Sequence, residues 1–235
     1  MSEEEPQYLS PATMAESRDV LGREEYGDTV LDVGAGNLAF TEHLYDQTGD
    51  ETTIIATDLP GVLDPRLSAE NVHYVEGNAA DFVRNGVADT VYAVNVIQLS
   101  NDPKAFLESL ENARSPEGVT VISFPDEEIN MGSWPEISLK QEKIKNEDVE
   151  TEFNKLSVPQ KETEENYEQL FIPSGWVEER AEEMGLNVLD KGRVPINTDA
   201  MEEIAKKVAD PKYLPGMDAS PEETDPSVKY YVLGD

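Results

Sequence analysis

Asp32-Val33-Gly34-Ala35-Gly36-Asn37-Leu38 is the stretch of this 235-residue chain whose residue types most directly invite chemistry. It lies between an apolar run, Thr29 to Val33, and a segment with Phe40 and Leu44 four apart. Glycines at 34 and 36 let the backbone approach a ligand closely, and a helix starting there offers free N–H groups. Two kinds of ligand use such a turn. Gly34, Gly36 and Ala39 satisfy the G-x-G-x-x-G/A spacing of a dinucleotide pyrophosphate site. Asp32, two residues before the first glycine, is awkward beside a pyrophosphate but useful near a cationic amino group. Asp58 follows Gly36 by 22 residues, at the end of a second apolar run. A carboxylate placed there can accept both hydroxyls of a ribose. A reductase with a Tyr-x-x-x-Lys pair is excluded, since none of the nine tyrosines has a lysine four residues on. A dinucleotide oxidoreductase remains an alternative, disfavoured by Asp32.

The elements that must position these residues follow from periodicity. Ser10-Pro11 places a capping hydroxyl before a proline and predicts a helix over 11–25. Strands are predicted at Thr29–Val33, Thr53–Thr57 up to Asp58, Val72–Val75, Thr90–Ile97 and Val119–Phe124. Helices are predicted from Asn37 to Gly49, and after Asp102-Pro103 with Phe106, Leu107, Leu110 and Ala113 on one face. Five strands alternating with helices over about 100 residues indicate a parallel, doubly wound sheet. After Pro125 the pattern breaks. Residues 126–170 are polar, with an amphipathic piece at Val149, Phe153 and Leu156. Ser174 opens a helix ending at Gly185, followed by a strand at Leu186–Leu189. Residues 195–226 are irregular and punctuated by Pro195, Pro211, Pro215 and Pro221, and Val228–Leu233 reads as a last strand.

Composition narrows the class. The chain has no cysteine, which excludes a disulfide framework, a thiolate nucleophile and Cys-ligated metal. Its two histidines, His43 and His73, lie far apart; His43 reads as a surface residue, His73 as structural, and no metal is expected. The MSEEEPQ start lacks a signal-peptide pattern. No apolar run approaches the ~20 residues needed to span a bilayer, so a cytoplasmic protein is expected. Fifty acids oppose 18 bases, a net charge of −32. The acids are dispersed through every segment rather than gathered in a tail. That pattern is read as the acidic surface of a salt-accumulating, halophilic archaeon. No basic stripe invites a nucleic-acid partner.

With these pieces in order, the chain resembles the class I S-adenosylmethionine-dependent methyltransferases, particularly the small-molecule group called methyltransferase type 11. The resemblance covers roughly residues 28–125, 173–194 and the last strand. Beyond the glycine turn and Asp58, it is carried by three stretches: Val75-Glu76-Gly77-Asn78-Ala79-Ala80-Asp81-Phe82, Ala88 to Gln98, and Ser115-Pro116-Glu117-Gly118. It implies an α/β, Rossmann-like doubly wound sheet of seven strands, mostly parallel, whose last strand runs antiparallel between strands five and six. One methyltransferase domain would occupy 1–235, with core 27–125, 171–194 and 227–235 and inserted caps 126–170 and 195–226. The cofactor implied is S-adenosyl-L-methionine. Asp32, Gly34, Ala35 and Gly36 would hold its methionine part, and Asp58, with Leu59 beside it, the ribose. Asn78 and the Ala79 backbone would meet the adenine, with Asp81 a rival for its amino group, and Asn95 would line the methyl end. Leu38 departs from a common third glycine, and Asn78 from a common aspartate.

The expected activity is methyl transfer by in-line displacement to a small-molecule acceptor, with no catalytic base assigned. The acceptor pocket is expected between Tyr92, Asn95 and Gln98 below and Met131, Trp134 and Phe171 above, in a monomer or homodimer. Alternatives are a methyltransferase of RNA or protein, or a non-catalytic S-adenosylmethionine-binding regulator. Asn95-Val96-Ile97-Gln98 lacks the Asn-Pro-Pro-Tyr type of motif used for amino groups of nucleic acids.

The charge generates a prediction of its own. Self-repulsion destabilises so acidic a fold in dilute buffer, and molar salt shortens the Debye length to about 3 Å. Thermal unfolding in 3 M KCl should therefore show a markedly higher midpoint than in 0.1 M KCl. Equal midpoints would remove the halophile reading.

Overall fold

Strands of a parallel sheet are covered on both faces, so they read as near-continuous apolar runs, and TVLDV, TIIATD and ADTVYAV are such runs. A computed structural model describes residues 26–36, 38–63, 65, 67–77, 86–125, 154–159, 166–173, 175–195 and 227–235. These runs form β1 (Thr29–Val33), β2 (Thr53–Asp58) and β4 (Ala88–Val94), with β3 (Val72–Glu76) and β5 (Arg114–Pro125) beside them. β6 (Asn154–Pro159) and β7 (Asn166–Phe171) follow, then β8 (Asn187–Pro195) and β9 (Ser227–Gly234). The seven-stranded sheet has the order β3-β2-β1-β4-β5-β9-β8. β1 to β5 pair in parallel, and β9 runs antiparallel between β5 and β8, as the resemblance implied.

Among the described residues three helices cover the faces: α1 (Ala39–Thr48), α2 (Pro103–Ala113) and α3 (Trp176–Met184). Asp102 caps α2 as its spacing suggested, its Oδ1 accepting from the Ala105 N–H at 3.0 Å ahead of Pro103. On one face Leu31, Val33, Val91, Ala93, Ile122 and Phe124 pack against Leu107 and Leu110 of α2 and Trp176, Val177 and Ala181 of α3. On the other, Val30, Ile54, Tyr92, Val94 and Val121 receive Phe40 and Leu44 of α1.

The N-terminal rim of the sheet is tied by two charged hubs. Asp89 on β4 accepts from the N–H groups of Asp28 and Thr29 (2.8 and 3.1 Å) and from Ser115 Oγ (3.2 Å). Gly27 is needed beside it, because a Cβ there would stand 2.3 Å from the Asp89 Cβ. Arg114, at the start of β5, donates to Glu111 and Asp235 carboxylates, both at 2.8 Å, and to the Ser115, Pro116 and Gly118 carbonyls.

Two expectations change. The fourth strand stops at Val94, not Ile97, because Asn95 takes a left-handed φ of 56° and Ile97–Leu99 winds into a 3-10 turn. Leu156 belongs to strand β6, not to an amphipathic helical piece, and β6 pairs antiparallel with β7 in a separate two-stranded sheet. Alternation in Asn-Lys-Leu-Ser-Val-Pro is a period of two. Val149 and Phe153 of that piece, the helix expected over 11–25 and Ser174 lie outside the described residues.

Replacing Arg114 by Met should lower stability by about 3–5 kcal/mol, the cost of leaving a buried ion unpaired. Glu111, with a side chain 10% exposed, is the ion left behind. Urea unfolding measures it, and a loss below about 1 kcal/mol would show that the rim does not depend on this guanidinium.

Candidate functional site

β1 delivers Asp32 to its C-terminal end, where the chain turns through Gly34-Ala35-Gly36 into α1. Asp32 is 1% exposed and pairs in register with Ala56 of β2 and Tyr92 of β4. Its Oδ2 accepts from the Thr41 hydroxyl of α1 at 2.6 Å. Burial pushes its carboxyl up to about 7; the Thr41 hydrogen bond works against the rise and the Asp58 charge adds to it. A buried acid in that condition is a place for a cation.

The turn itself is closed by the protein. Gly34 and Ala35 N–H groups both donate to the Thr57 carbonyl, at 2.8 and 3.1 Å, and the Gly36 N–H donates to Asp58 Oδ2 at 2.8 Å. Asp58 Oδ1 accepts from the Leu59 N–H at 2.7 Å. A pyrophosphate turn works through unclaimed N–H groups aimed at the anion. Here three such groups are already claimed, and two carboxylates stand beside them. The arrangement disfavours an anion and suits a polar, positively charged ligand. Carboxylate oxygens keep further acceptor capacity after one hydrogen bond each, so Asp58 can hold the turn and still accept hydroxyls.

The two glycines do different work. A Cβ on Gly34 would meet Val96 Cγ2 at 2.2 Å, so that position seats the loop after β4. A Cβ on Gly36 would meet nothing nearer than the Gly34 carbonyl oxygen at 4.0 Å, so the turn is open there. Leu59, 55% exposed, follows Asp58 on the same rim.

The family comparison decides the class: a model described as a methyltransferase domain matches residues 7–190. The chain belongs to the methyltransferase domain family. No curated protein matches it significantly in sequence. Among solved structures it is similar to a Listeria monocytogenes protein assigned as an S-adenosylmethionine-dependent methyltransferase, with TM-score 0.62 and 10% identity, over 95% of this chain and 98% of that one. It is also similar to the glycopeptide N-methyltransferase MtfA complexed with S-adenosyl-L-methionine (TM-score 0.55, 12% identity, 100% and 98% covered). A third is the 1,6-didemethyltoxoflavin N1-methyltransferase of Burkholderia thailandensis, bound to that substrate and S-adenosylhomocysteine (TM-score 0.55, 14% identity, 96% and 79% covered). At these identities the likeness establishes the fold.

Within this methyltransferase fold the structure gathers Asp32, Gly34, Ala35, Gly36, Asp58 and Leu59 at one end of β1 and β2. Asn95 and Gln98 meet at the same end of β4: Gln98 Nε2 donates to the Asn95 carbonyl at 2.8 Å, and the Asn95 N–H to the Ser123 carbonyl at 2.9 Å. Both side chains are buried. β7 packs beside the 3-10 turn that carries Gln98. Tyr92 is a correction. It is 0% exposed and packs edge-on to Phe40 with ring centroids 4.9 Å apart, so it belongs to the core under α1 rather than to a pocket floor. Phe171 closes β7, and Trp176 is buried in the core. Asn78, Ala79, Asp81, Met131 and Trp134 lie outside the described residues.

Sequence reasoning missed Thr41, Val96 and the Thr57 carbonyl. Thr41 could have been found, since a helix beginning near Asn37 sets its first turn over the end of β1. Val96 carries no signal until the fold brings it to Gly34. The contrast between the glycines is measurable. Both have left-handed φ, 73° and 52°, so alanine costs about 1–2 kcal/mol of strain at either. Gly34→Ala should lose about 1–3 kcal/mol more through overpacking against Val96. Equal losses in urea unfolding would contradict the separate roles.

Proposed function

We propose that the chain transfers the methyl group of S-adenosyl-L-methionine to a small-molecule acceptor. The observation that carries the proposal is the acid pair, Asp32 and Asp58, flanking a glycine turn open only over Gly36. The residues fit the cofactor. Its cofactor is S-adenosyl-L-methionine. Asp32 would meet the ammonium of the methionine part, Gly36 would allow close approach, and Asp58 would accept the ribose hydroxyls with Leu59 against the base. Asn78, Ala79 and Asp81 are proposed to complete the adenine site. When bound, the cofactor supplies a methyl group already activated by a positively charged sulfur.

The protein's task is then positioning rather than activation. Asn95, held by its own backbone N–H on Ser123 and by Gln98 on its carbonyl, presents a fixed surface at the end of β4. Gln98, with Phe171, Met131 and Trp134 from the cap, is proposed to line the acceptor side. The Burkholderia neighbour, which holds bound 1,6-didemethyltoxoflavin, supports an acceptor of that kind. Residues 126–170 and 195–226 are proposed as the caps that choose it, since long insertions in such folds are commonly lids. The net charge of −32 supports operation in the cytoplasm of a halophile. Among the described residues no helix is long and apolar enough to cross a membrane.

Asp58→Ala removes hydrogen bonds to a charged acceptor, each worth about 1.5–3 kcal/mol. Affinity for S-adenosylhomocysteine, measured by calorimetry, should fall at least about tenfold. An unchanged dissociation constant would show that the ribose site lies elsewhere. Transfer from labelled cofactor into lysate split into metabolites, lipids, RNA and protein should label the metabolite fraction. Label confined to RNA or protein would overturn the small-molecule acceptor.

A further inference from the structure

Asp32 is the only fully buried acid among the described residues. Among the described residues no basic side chain pairs with it: its hydrogen bond comes from the neutral Thr41 hydroxyl. The titratable groups on the elements packed around it are Asp58 on β2, Asp89 and Tyr92 on β4, and Glu42, His43, Tyr45 and Asp46 on α1. Of these, Asp58 is the charge that acts on it, and it opposes ionisation. A carboxylate without water or a cation is strongly disfavoured in such a place and holds its proton instead.

We infer that a ligand ammonium group displaces the proton of Asp32, so that this site binds amino-acid-bearing nucleosides with release of one proton to solvent. The inference rests on the proposed methyl-donor reading, which sets an ammonium against Asp32. The balance is simple: Asp32 carboxylic acid and a ligand ammonium become a carboxylate–ammonium pair plus one free proton. No bond other than O–H breaks. The sign follows from the raised carboxyl. Below about pH 7 the free protein carries the proton and the ligand must expel it, so affinity rises with pH. Above that pH Asp32 is already ionised and affinity levels off. A nucleoside without the amino-acid part has nothing to exchange for the proton, and its affinity does not follow this titration. Asp32 is in this way a specificity determinant whose preference for the charged ligand is set by pH.

The test uses the full chain in salt at which it is folded, with S-adenosylhomocysteine and 5′-methylthioadenosine as probes. Calorimetry at pH 6 in buffers of different ionisation enthalpy counts protons. S-adenosylhomocysteine should release about one, and its dissociation constant should be about tenfold weaker at pH 6 than at pH 8. Methylthioadenosine should release none and show no such change. Asp32→Asn should abolish both the release and the pH dependence. Release that persists in Asp32→Asn, or wild-type binding of S-adenosylhomocysteine without release, overturns the inference while leaving the cofactor reading intact. Absence of binding by either probe overturns the cofactor reading and the inference with it. The wild-type titrations decide the matter even where the variant does not fold.

Discussion

A carboxylate buried at the end of the central strand is the constraint around which this molecule is arranged. Asp32 sits where four neighbours converge: β2, β4, the glycine turn and the first turn of α1. The Thr41 hydroxyl fixes α1 against it, and Phe40 and Leu44 of the same helix then fill the face of the sheet under Tyr92. The carboxyl opposes stability rather than adding to it. Its folded pKa of about 7 stands above the ordinary 3.8 of an aspartate. Below about pH 4 both states are protonated and the penalty is absent. Between about 4 and 7 the unfolded chain ionises while the folded one keeps its proton, so stability falls as pH rises. Above 7 the full penalty, of the order of 4 kcal/mol, is present. A fold keeps such a group when a ligand needs it, which is the usual trade between stability and function.

The two ends of the sheet are built differently. At the N-terminal rim Asp89 and Arg114 engage backbone N–H and C=O groups of β1 and β5, and the strands enter the sheet already fixed. Buried polar atoms without a hydrogen-bond partner among the described residues lie toward both rims: Asn71 Oδ1 and Glu111 Oε1 at the N-terminal one, and others at the C-terminal one. Thr57 Oγ1, Ser123 Oγ and Gln98 Oε1 are buried and have no hydrogen-bond partner among the described residues. Each such group costs about 1–3 kcal/mol when left unmatched. In open α/β sheets the ligand side is this C-terminal side.

What the sequence showed directly was local. Asp32, Gly34, Gly36 and Asp58 could be placed because a strand, a turn and a helix fix their relation within about 30 residues. Sheet order followed from alternation plus the resemblance, and β9 lies where it was expected between β5 and β8. Tyr92 was misplaced for a reason the sequence itself contained. In a strand residues two apart share a face, so Tyr92 goes with Val94 and Thr90 on the side that a helix covers. It faces Phe40 with Val30 and Val94. The β6–β7 hairpin was hidden by a competing period, since Val149, Phe153 and Leu156 suggest a helix while Leu156 and Val158 alternate as a strand. Val96 against Gly34 is a contact across 62 positions, which no local pattern encodes.

Leu38 shows how the turn keeps its shape without a third glycine. It holds φ 64° and ψ 10°, a left-handed conformation that a non-glycine residue adopts at about 1–2 kcal/mol. Its side chain is 0% exposed and lies with Ala35 and Ala56, with Leu63 and Tyr74 packed against them. Burying a leucine contributes about 1.5–3 kcal/mol, enough to offset the strain. Glycine at 38 would relax the backbone but release that anchor, and the turn would gain freedom where Gly36 must stay open. The Leu38 N–H donates to the Ala35 carbonyl at 2.8 Å, and its carbonyl accepts from Glu42 at 2.8 Å, so the anchored residue is also the hinge between turn and helix. Strain at Leu38 and close packing at Gly34 thus leave Gly36 as the one glycine of the turn with open space beside it, and that single opening stands between the two acids.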